Sequence, residues 1–110
     1  MRKIRISQSA RHDFLEIRSY VVQKFGAKDW NRIAEAWKKH LNSIASNPEL
    51  GSRIEELEGT GYINCKKYHY KNVFVIYSFD DTALEVHMFM PSMRDFRTHL
   101  MHRMLQARGL

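Results

Sequence analysis

The spacing of apolar residues changes early in the chain. In the segment RKIRIS, Ile4 and Ile6 alternate with basic residues, and this alternation predicts a short strand with one solvated face near a sheet edge. Over residues 9–25 the apolar positions recur at steps of four and three, which predicts a helix that ends at Gly26. The predicted inward face of this helix consists of Ala10, Phe14, Ile17, Val21 and Phe25.

A second helical stripe begins after a connection of only one or two residues. Its apolar positions are Trp30, Ile33, Ala34, Trp37, Leu41, Ile44 and Ala45. So short a connection makes the two helices antiparallel neighbours, so the pattern predicts a helical hairpin. Residues 47–61 contain Pro48 and three glycines together with an acidic cluster, and they are predicted to form a surface loop.

Three strands are predicted from Tyr62 onward. YINCKKYHY is mixed, VFVIYSF is continuously apolar, and LEVHMFM alternates, with turns at residues 71–72 and 80–82. Two tight turns predict an antiparallel meander, and its continuously apolar middle strand is expected at the sheet centre, buried on both faces. Pro91 is expected to end the third strand because proline cannot donate to a strand ladder.

A last helix is predicted after Ser92, which is placed as an N-cap with Asp95 three residues later. The order strand, helix, helix, three strands, helix predicts an α+β fold. We expect one domain over residues 1–110, in which an N-terminal strand and the meander form a four-stranded, mainly antiparallel sheet. The helical hairpin packs on that sheet, and a C-terminal helix follows.

Charge narrows the class of partner. The net charge is +6, and the last twenty residues carry four arginines against the single acid Asp95. Such a surplus favours nucleic acid, an acidic protein, or a machine that holds nucleic acid. The single Cys65 excludes an internal disulfide, and with no apolar leader or long apolar stretch it indicates the cytoplasm and no membrane span.

Three stretches resemble the RelE/ParE superfamily of bacterial type II toxins, over roughly residues 3–100. They are SARHDFLEIRSYV, then SIASNPELGSRIEEL with its NP…G turn, then YKNVFVIYSFDDTALEVHMFMPSMRD. The resemblance implies one of two activities: RelE-like members cut messenger RNA on the ribosome, and ParE-like members bind and block DNA gyrase. Both kinds are silenced by an antitoxin. The long hairpin and the ending MRDF resemble the ParE branch more.

The residues at the end of the last predicted strand indicate whether the chain can cleave RNA. RNA cleavage without a metal needs a general base, a general acid and a cation for the phosphate charge. Many superfamily members end this strand with HGRRD or similar, whereas here the frame reads MPSMRD, with Met90 and Met93 in place of the histidine and the first arginine. A thioether neither transfers a proton nor pairs with phosphate. We therefore expect a ParE-like inhibitor that acts by binding.

The alternative is a RelE-like ribosome-dependent endoribonuclease. Its catalytic residues would be His87, Arg94, Lys67 and His69. Lys67 and His69 are expected to share one face of their strand, while in an ideal strand His87 faces away from Met88 and Met90. No metal or other cofactor is expected, because the six histidines are scattered and cationic neighbours disfavour a divalent ion.

Two binding surfaces are predicted. The surface for the target is Lys66, Lys67, Arg94, Arg97 and Arg103. The surface for a small acidic antitoxin is Met90, Met93, Phe96 and Leu100, because methionine-rich grooves adapt to an inserted helix. Met88 lies beside this predicted antitoxin surface. For Met88, packing in the core beneath the last helix is at least as strong an expectation as a contact with the antitoxin. The sequence leaves the assembly open between a homodimer and a toxin–antitoxin hetero-oligomer.

Overall fold

The computed structural model describes residues 1–55 and 65–92, together with Thr98, Leu100, His102 and Arg103. Its elements begin with strand β1 (Lys3–Ile6) and the helices α1 (Gln8–Phe25) and α2 (Ala27–Ser46). A short 3-10 helix (Pro48–Leu50) and β2 (Ser52–Arg53) follow. Then come β3 (Lys66–Tyr70), β4 (Val73–Phe79) and β5 (Ala83–Pro91). The predicted α+β class is confirmed.

The helical hairpin forms as predicted, around a single connecting residue. The Ser7 hydroxyl caps α1 by accepting a hydrogen bond from the Ala10 amide at 3.0 Å. Gly26 lies between the helices with a φ of 96°, a conformation that favours glycine. Because a Cβ at Gly26 would meet no atom within 4 Å, the requirement for glycine there is conformational rather than steric.

Over the described residues the sheet has five strands in the order β1-β5-β4-β3-β2, so the predicted count of four is wrong. The extra strand is β2, which pairs antiparallel with β3 through Ser52–Lys67 and Arg53–Lys66. It lies within the predicted loop, where two residues are too few to show an alternating pattern. β1 pairs parallel with β5 at one edge and the other neighbours are antiparallel, so the sheet is mixed.

Buried apolar side chains of the described residues cover both faces of this sheet. The hairpin packs on one face, where Val75, Tyr77 and Phe89 meet Trp37 and Ile44. The opposite face, here called the lower face, carries a second cluster. Its buried members are Ile54, Ile76, Met88, Met90 and Leu100. The consecutive residues 75–77 of β4 are all buried, which confirms the central position predicted for that strand.

A β-bulge interrupts β5 and corrects the expected direction of its side chains. Ile76 pairs with Met88 while Tyr77 pairs with Val86, so His87 is the extra residue. Leu84, Val86 and Phe89 therefore pack toward the hairpin, whereas Met88 and Met90 pack on the lower face. His87 bonds Ser78, which shares its face with Ile76, so His87 points to the same face as Met88 rather than opposite to it.

Two expectations at helix ends have different outcomes. Phe25 was placed on the inward face of α1, but 58% of it is exposed, so that prediction is wrong. For the last helix, Thr98, Leu100, His102 and Arg103 have helical backbone. Its bounds, the cap partner Asp95, and the strand start predicted at Tyr62 lie outside the described residues. No helix in the described ranges is both long and apolar enough to cross a membrane.

Candidate functional site

The lower face of β3 and β4 carries Lys67 and Phe74, which are half-buried, and His69, which is exposed. Lys67 and His69 pair with Ile76 and Phe74, which confirms that these two side chains share one face. The Lys67 ammonium lies 5.5 Å from the centre of the Phe74 ring, and the His69 and Phe74 ring centres are 4.6 Å apart. Because the Lys67 ammonium and the His69 ring both lie against Phe74, this part of the lower face suits an anionic partner.

Lys66 is separated from that group by the sheet itself. It pairs with Tyr77, which faces the hairpin, so its side chain points to the helical side. There its ammonium forms an ion pair with Glu49, 3.3 Å between Nζ and Oε2, and only 21% of the Lys66 side chain is exposed. The structure thus does not bring Lys66 and Lys67 onto one surface.

His87 reaches the lower face through the bulge and is held there. Its Nε2 lies 2.7 Å from the hydroxyl of Ser78 on the neighbouring strand. Burial lowers the pKa of His87, against a smaller opposing effect of Glu85, so the neutral ring is favoured near pH 7. β4 separates His87 from Lys67 and His69 on β3, a distance of about 10 Å at the usual strand spacing.

Arg103 forms an ion pair that sequence reasoning did not foresee. Its guanidinium donates to the carboxylate of Asp13 on α1, and the other oxygen of that carboxylate accepts the Phe89 amide at 3.2 Å. The side chains of Arg103 and Asp13 are 22% and 9% exposed. Arg103, predicted to contact the target, is therefore anchored to the fold. Its Nη1 is buried and lacks a hydrogen-bond partner among the described residues.

Asp13 is a structural member of this site that the spacing of α1 could have indicated. It lies on the inward side of the helix between Ala10 and Phe14, where an acid is rarely placed unless it has a partner. β1 pairs with β5 only as far as the Ile6–Val86 pair. The Asp13 carboxylate supplies the acceptor that the Phe89 amide needs beyond that point.

The predicted antitoxin residues that are described lie in the core. Met90 is fully buried and Leu100 is 3% exposed, and both belong to the lower cluster with Ile54, Ile76 and Met88. Met88 is buried in the same cluster, so core packing, the alternative given for this residue, is the one that the structure supports. Met93 and Phe96, and the predicted target residues Arg94 and Arg97, lie outside the described residues.

Two further ionisable side chains, Cys65 and Tyr77, have raised pKa values. Burial raises the pKa of the Cys65 thiol, which disfavours the reactive thiolate. Burial also raises the pKa of Tyr77 to about 12, and its hydroxyl donates to the Pro48 carbonyl while accepting from the Gly51 amide. No three histidine, cysteine or acidic side chains in the described part of the chain are grouped to hold a metal ion.

The fold and the described surface define a small basic α+β domain that carries a helical hairpin on one sheet face and cation-capable groups on the other. The chain belongs to the ParE toxin family of the type II toxin–antitoxin system parDE, whose sequence model matches residues 4–96. None of the curated protein sequences matches this chain.

Solved structures share the fold at low sequence identity. A chain from the chromosomal ParDE toxin–antitoxin system of P. aeruginosa superposes with a TM-score of 0.64 at 8% identity, covering 83% of this chain and 96% of that one. A conserved hypothetical protein of Helicobacter pylori, solved in solution, gives a TM-score of 0.55 at 17% identity, covering 87% of this chain and 100% of its own. At these identities the likeness supports the fold alone.

Proposed function

We propose that this ParE-family toxin acts in the cytoplasm by binding DNA gyrase, and that a small acidic antitoxin neutralises it. One observation carries the choice of binding over cutting. Position 90, where many superfamily members have a histidine, holds a methionine that is fully buried. A buried thioether supplies neither an acid nor a base to a bound phosphate.

The described contacts add support for a surface that binds. Lys67 and His69 are arranged around Phe74 on the lower face, and the chain has a net charge of +6. Gyrase holds DNA and is a natural anionic partner for such a face. The neighbouring P. aeruginosa structure is a ParDE system, which supports an antitoxin as the second partner and a hetero-oligomer as the neutralised form.

Purified gyrase, relaxed plasmid and this protein in one reaction test the proposal. We expect supercoiling to stop at micromolar toxin, and Lys67→Glu to weaken the inhibition only in part, because a binding surface spreads its free energy over several contacts. Lys39→Glu, an exposed lysine on α2, is the charge-matched control and should leave inhibition unchanged. Unaffected supercoiling with the unsubstituted protein would refute the proposal.

A ribosome-dependent endoribonuclease is the second candidate, and one observation favours it. The bulge turns His87 to the same face as Lys67 and His69, the residues expected to serve that chemistry. Ribosomes programmed with a defined transcript and mixed with the protein distinguish the two functions. Cleavage that falls about a hundredfold or more in His87→Gln would establish the nuclease, and intact transcripts would remove it.

A further inference from the structure

The joint between the two helices projects beyond the end of β5. The cap residue of α1 bonds to Val86, and Asp13 bonds to Phe89 farther along the strand, so α1 runs beside β5 in the same direction. From Asp13 to Phe25 the helix rises about 18 Å. β5 continues from Phe89 to Pro91 for only about 7 Å. The last turns of α1 therefore extend past the end of this strand.

Two aromatic rings and a lysine occupy this projecting end of α1. Tyr20 and Phe25 are each 58% exposed. The Lys24 ammonium lies over both rings, 5.4 Å from the centre of the Tyr20 ring and 5.7 Å from that of Phe25. It also donates a hydrogen bond to the Tyr20 hydroxyl at 3.0 Å. Lys28, at the start of α2, is exposed beside them in the chain, and we call these four residues the hairpin tip.

From this arrangement we propose that the hairpin tip enters an apolar pocket with an acidic rim on the target protein. Aromatic side chains are enriched at the buried centre of protein interfaces, and they lose little conformational entropy there. Because Lys24 already holds the rings of Tyr20 and Phe25 in place, part of their ordering precedes binding. The inference rests on the proposed function only in taking the target to be gyrase.

Charge selects the kind of pocket. Lys24 and Lys28 are exposed and cationic, while Asp29, the acid that follows Lys28, is paired with Arg32 at 3.6 Å. The hairpin tip therefore carries an excess of positive charge. Such an excess complements an acidic rim and repels the tip of a second copy of the chain.

A protein pocket suits the tip better than an anionic lipid surface does. The Lys24 ammonium is bonded to Tyr20, so rings that entered the hydrocarbon of a bilayer would carry the charge with them. A charge in hydrocarbon is costly. A carboxylate on the rim of a protein pocket pairs with the ammonium while the rings are buried.

Surface plasmon resonance on immobilised, purified gyrase gives the affinity of each variant. We expect Phe25→Ser to weaken binding about thirtyfold, as for a residue at the centre of an interface, and Lys24→Glu to weaken it about tenfold. Leu50→Ser and Lys39→Glu are the matched controls. Leu50 is 50% exposed just beyond the other end of α2, and Lys39 is exposed toward that end. Both controls should change the affinity less than about twofold.

A photoreactive group locates the contact directly. We expect p-benzoylphenylalanine at position 25 to cross-link to purified gyrase, whereas the same group at position 50 should not. Cross-linking from position 50 alone would overturn the inference. Thermal unfolding by circular dichroism checks that each variant folds, and Tyr20→Ser replaces Phe25→Ser, with the same expectation, if that variant does not.

Two other occupants are tested in parallel. Vesicles of phosphatidylcholine and phosphatidylglycerol should sediment with no more of the unsubstituted protein than of Phe25→Ser. Vesicle binding that Phe25→Ser abolishes would overturn the inference, because the occupant would then be a lipid surface. A dimer of the protein that Phe25→Ser dissolves would overturn it as well, because the occupant would then be a second copy.

Growth arrest in cells that express the protein separates this inference from the proposed function. If the unsubstituted protein binds gyrase and the tip variants bind it equally well, only the hairpin tip is refuted. If it does not bind gyrase, the proposed target is wrong. In that case, arrest that Phe25→Ser relieves and Leu50→Ser does not would support the tip as the contact for another acidic protein. Arrest that is equal in both variants, or absent from the unsubstituted protein, would overturn both proposals.

Discussion

Removing the Asp13 carboxylate should destabilise the protein more than its position on a surface helix would indicate. Asp13 accepts the amide of Phe89 with one oxygen and the guanidinium of Arg103 with the other. It thereby joins α1, β5 and the C-terminal segment at one point. Two substitutions separate these functions. Asp13→Asn keeps a carbonyl oxygen for Phe89 and removes the charge, whereas Asp13→Ala removes both.

The contacts set the magnitude. A buried donor left without an acceptor costs about 1–3 kcal/mol, which applies to the Phe89 amide in Asp13→Ala. Breaking a fully buried ion pair costs about 3–5 kcal/mol, and the 22% exposure of the Arg103 side chain places this pair below that range. We therefore expect Asp13→Ala to lower the free energy of unfolding by about 3–4 kcal/mol and Asp13→Asn by about 2 kcal/mol.

Urea unfolding followed by tryptophan fluorescence measures these values, since Trp30 and Trp37 are buried in the core. Glu16→Gln is the matched control, because it removes an acid from the same helix that forms only an exposed pair with His12. It should change the free energy by less than about 0.5 kcal/mol.

A double-mutant cycle gives the decisive test of this ion pair. Combining Asp13→Asn with Arg103→Leu should show a coupling of at least about 1.5 kcal/mol, since each substitution alone leaves the other group without its partner. A coupling under about 0.5 kcal/mol, the usual error of additivity, would mean that the pair contributes nothing specific to the fold. The reasoning would then be refuted even if both single variants were unstable.

Three further predictions concern the sheet. Tyr77→Phe should lower the free energy of unfolding by about 2 kcal/mol in urea titrations, because it leaves the Pro48 carbonyl and the Gly51 amide without the buried hydroxyl. Gly51→Ala should cost about 1–3 kcal/mol, because its Cβ would overlap that hydroxyl and lie 3.0 Å from the Lys67 carbonyl oxygen, and an equal cost in the Tyr77→Phe background would contradict this cause. The lowered pKa of His87 means that the unfolded chain binds its proton first as the pH falls, so its contribution to stability is complete above about pH 6.5 and is lost below it. Between pH 7.5 and pH 5 the melting temperature should fall less steeply with falling pH in His87→Gln than in the unsubstituted protein. An equally steep fall in both would refute this assignment.

Local patterns along the chain predicted the helices because helices are made from local contacts. The stripe of α2 reports its own burial directly, from Trp30 to Ala45. A single glycine between two such stripes leaves an antiparallel hairpin as the simple arrangement. Phe25 shows the limit of reading helices from spacing. It lies four residues after the buried Val21 and three residues after the exposed Val22, so the spacing fits either side of the helix, and only its 58% exposure shows that it faces solvent.

Features made by distant residues could not be predicted in this way. Two residues become strand β2 only because β3 offers Lys66 and Lys67 as partners. The ion pair of Asp13 and Arg103 joins positions 90 residues apart, and no local rule connects them. A buried acid on an apolar helix face was the available signal, and it indicates that a partner exists without indicating which residue it is.

The bulge at His87 decides how the end of β5 bears on function. Strict alternation from Leu84 and Val86 would have turned positions 88 and 90 toward the hairpin. With one extra residue those positions turn to the lower face, where Lys67 and His69 of β3 also point. A histidine at position 90 would thus share a face with Lys67 and His69, as an acid–base site for phosphate requires. The methionine found there packs with Ile76 and Leu100 instead, so the position where proton transfer would be placed contributes to the stability of the core.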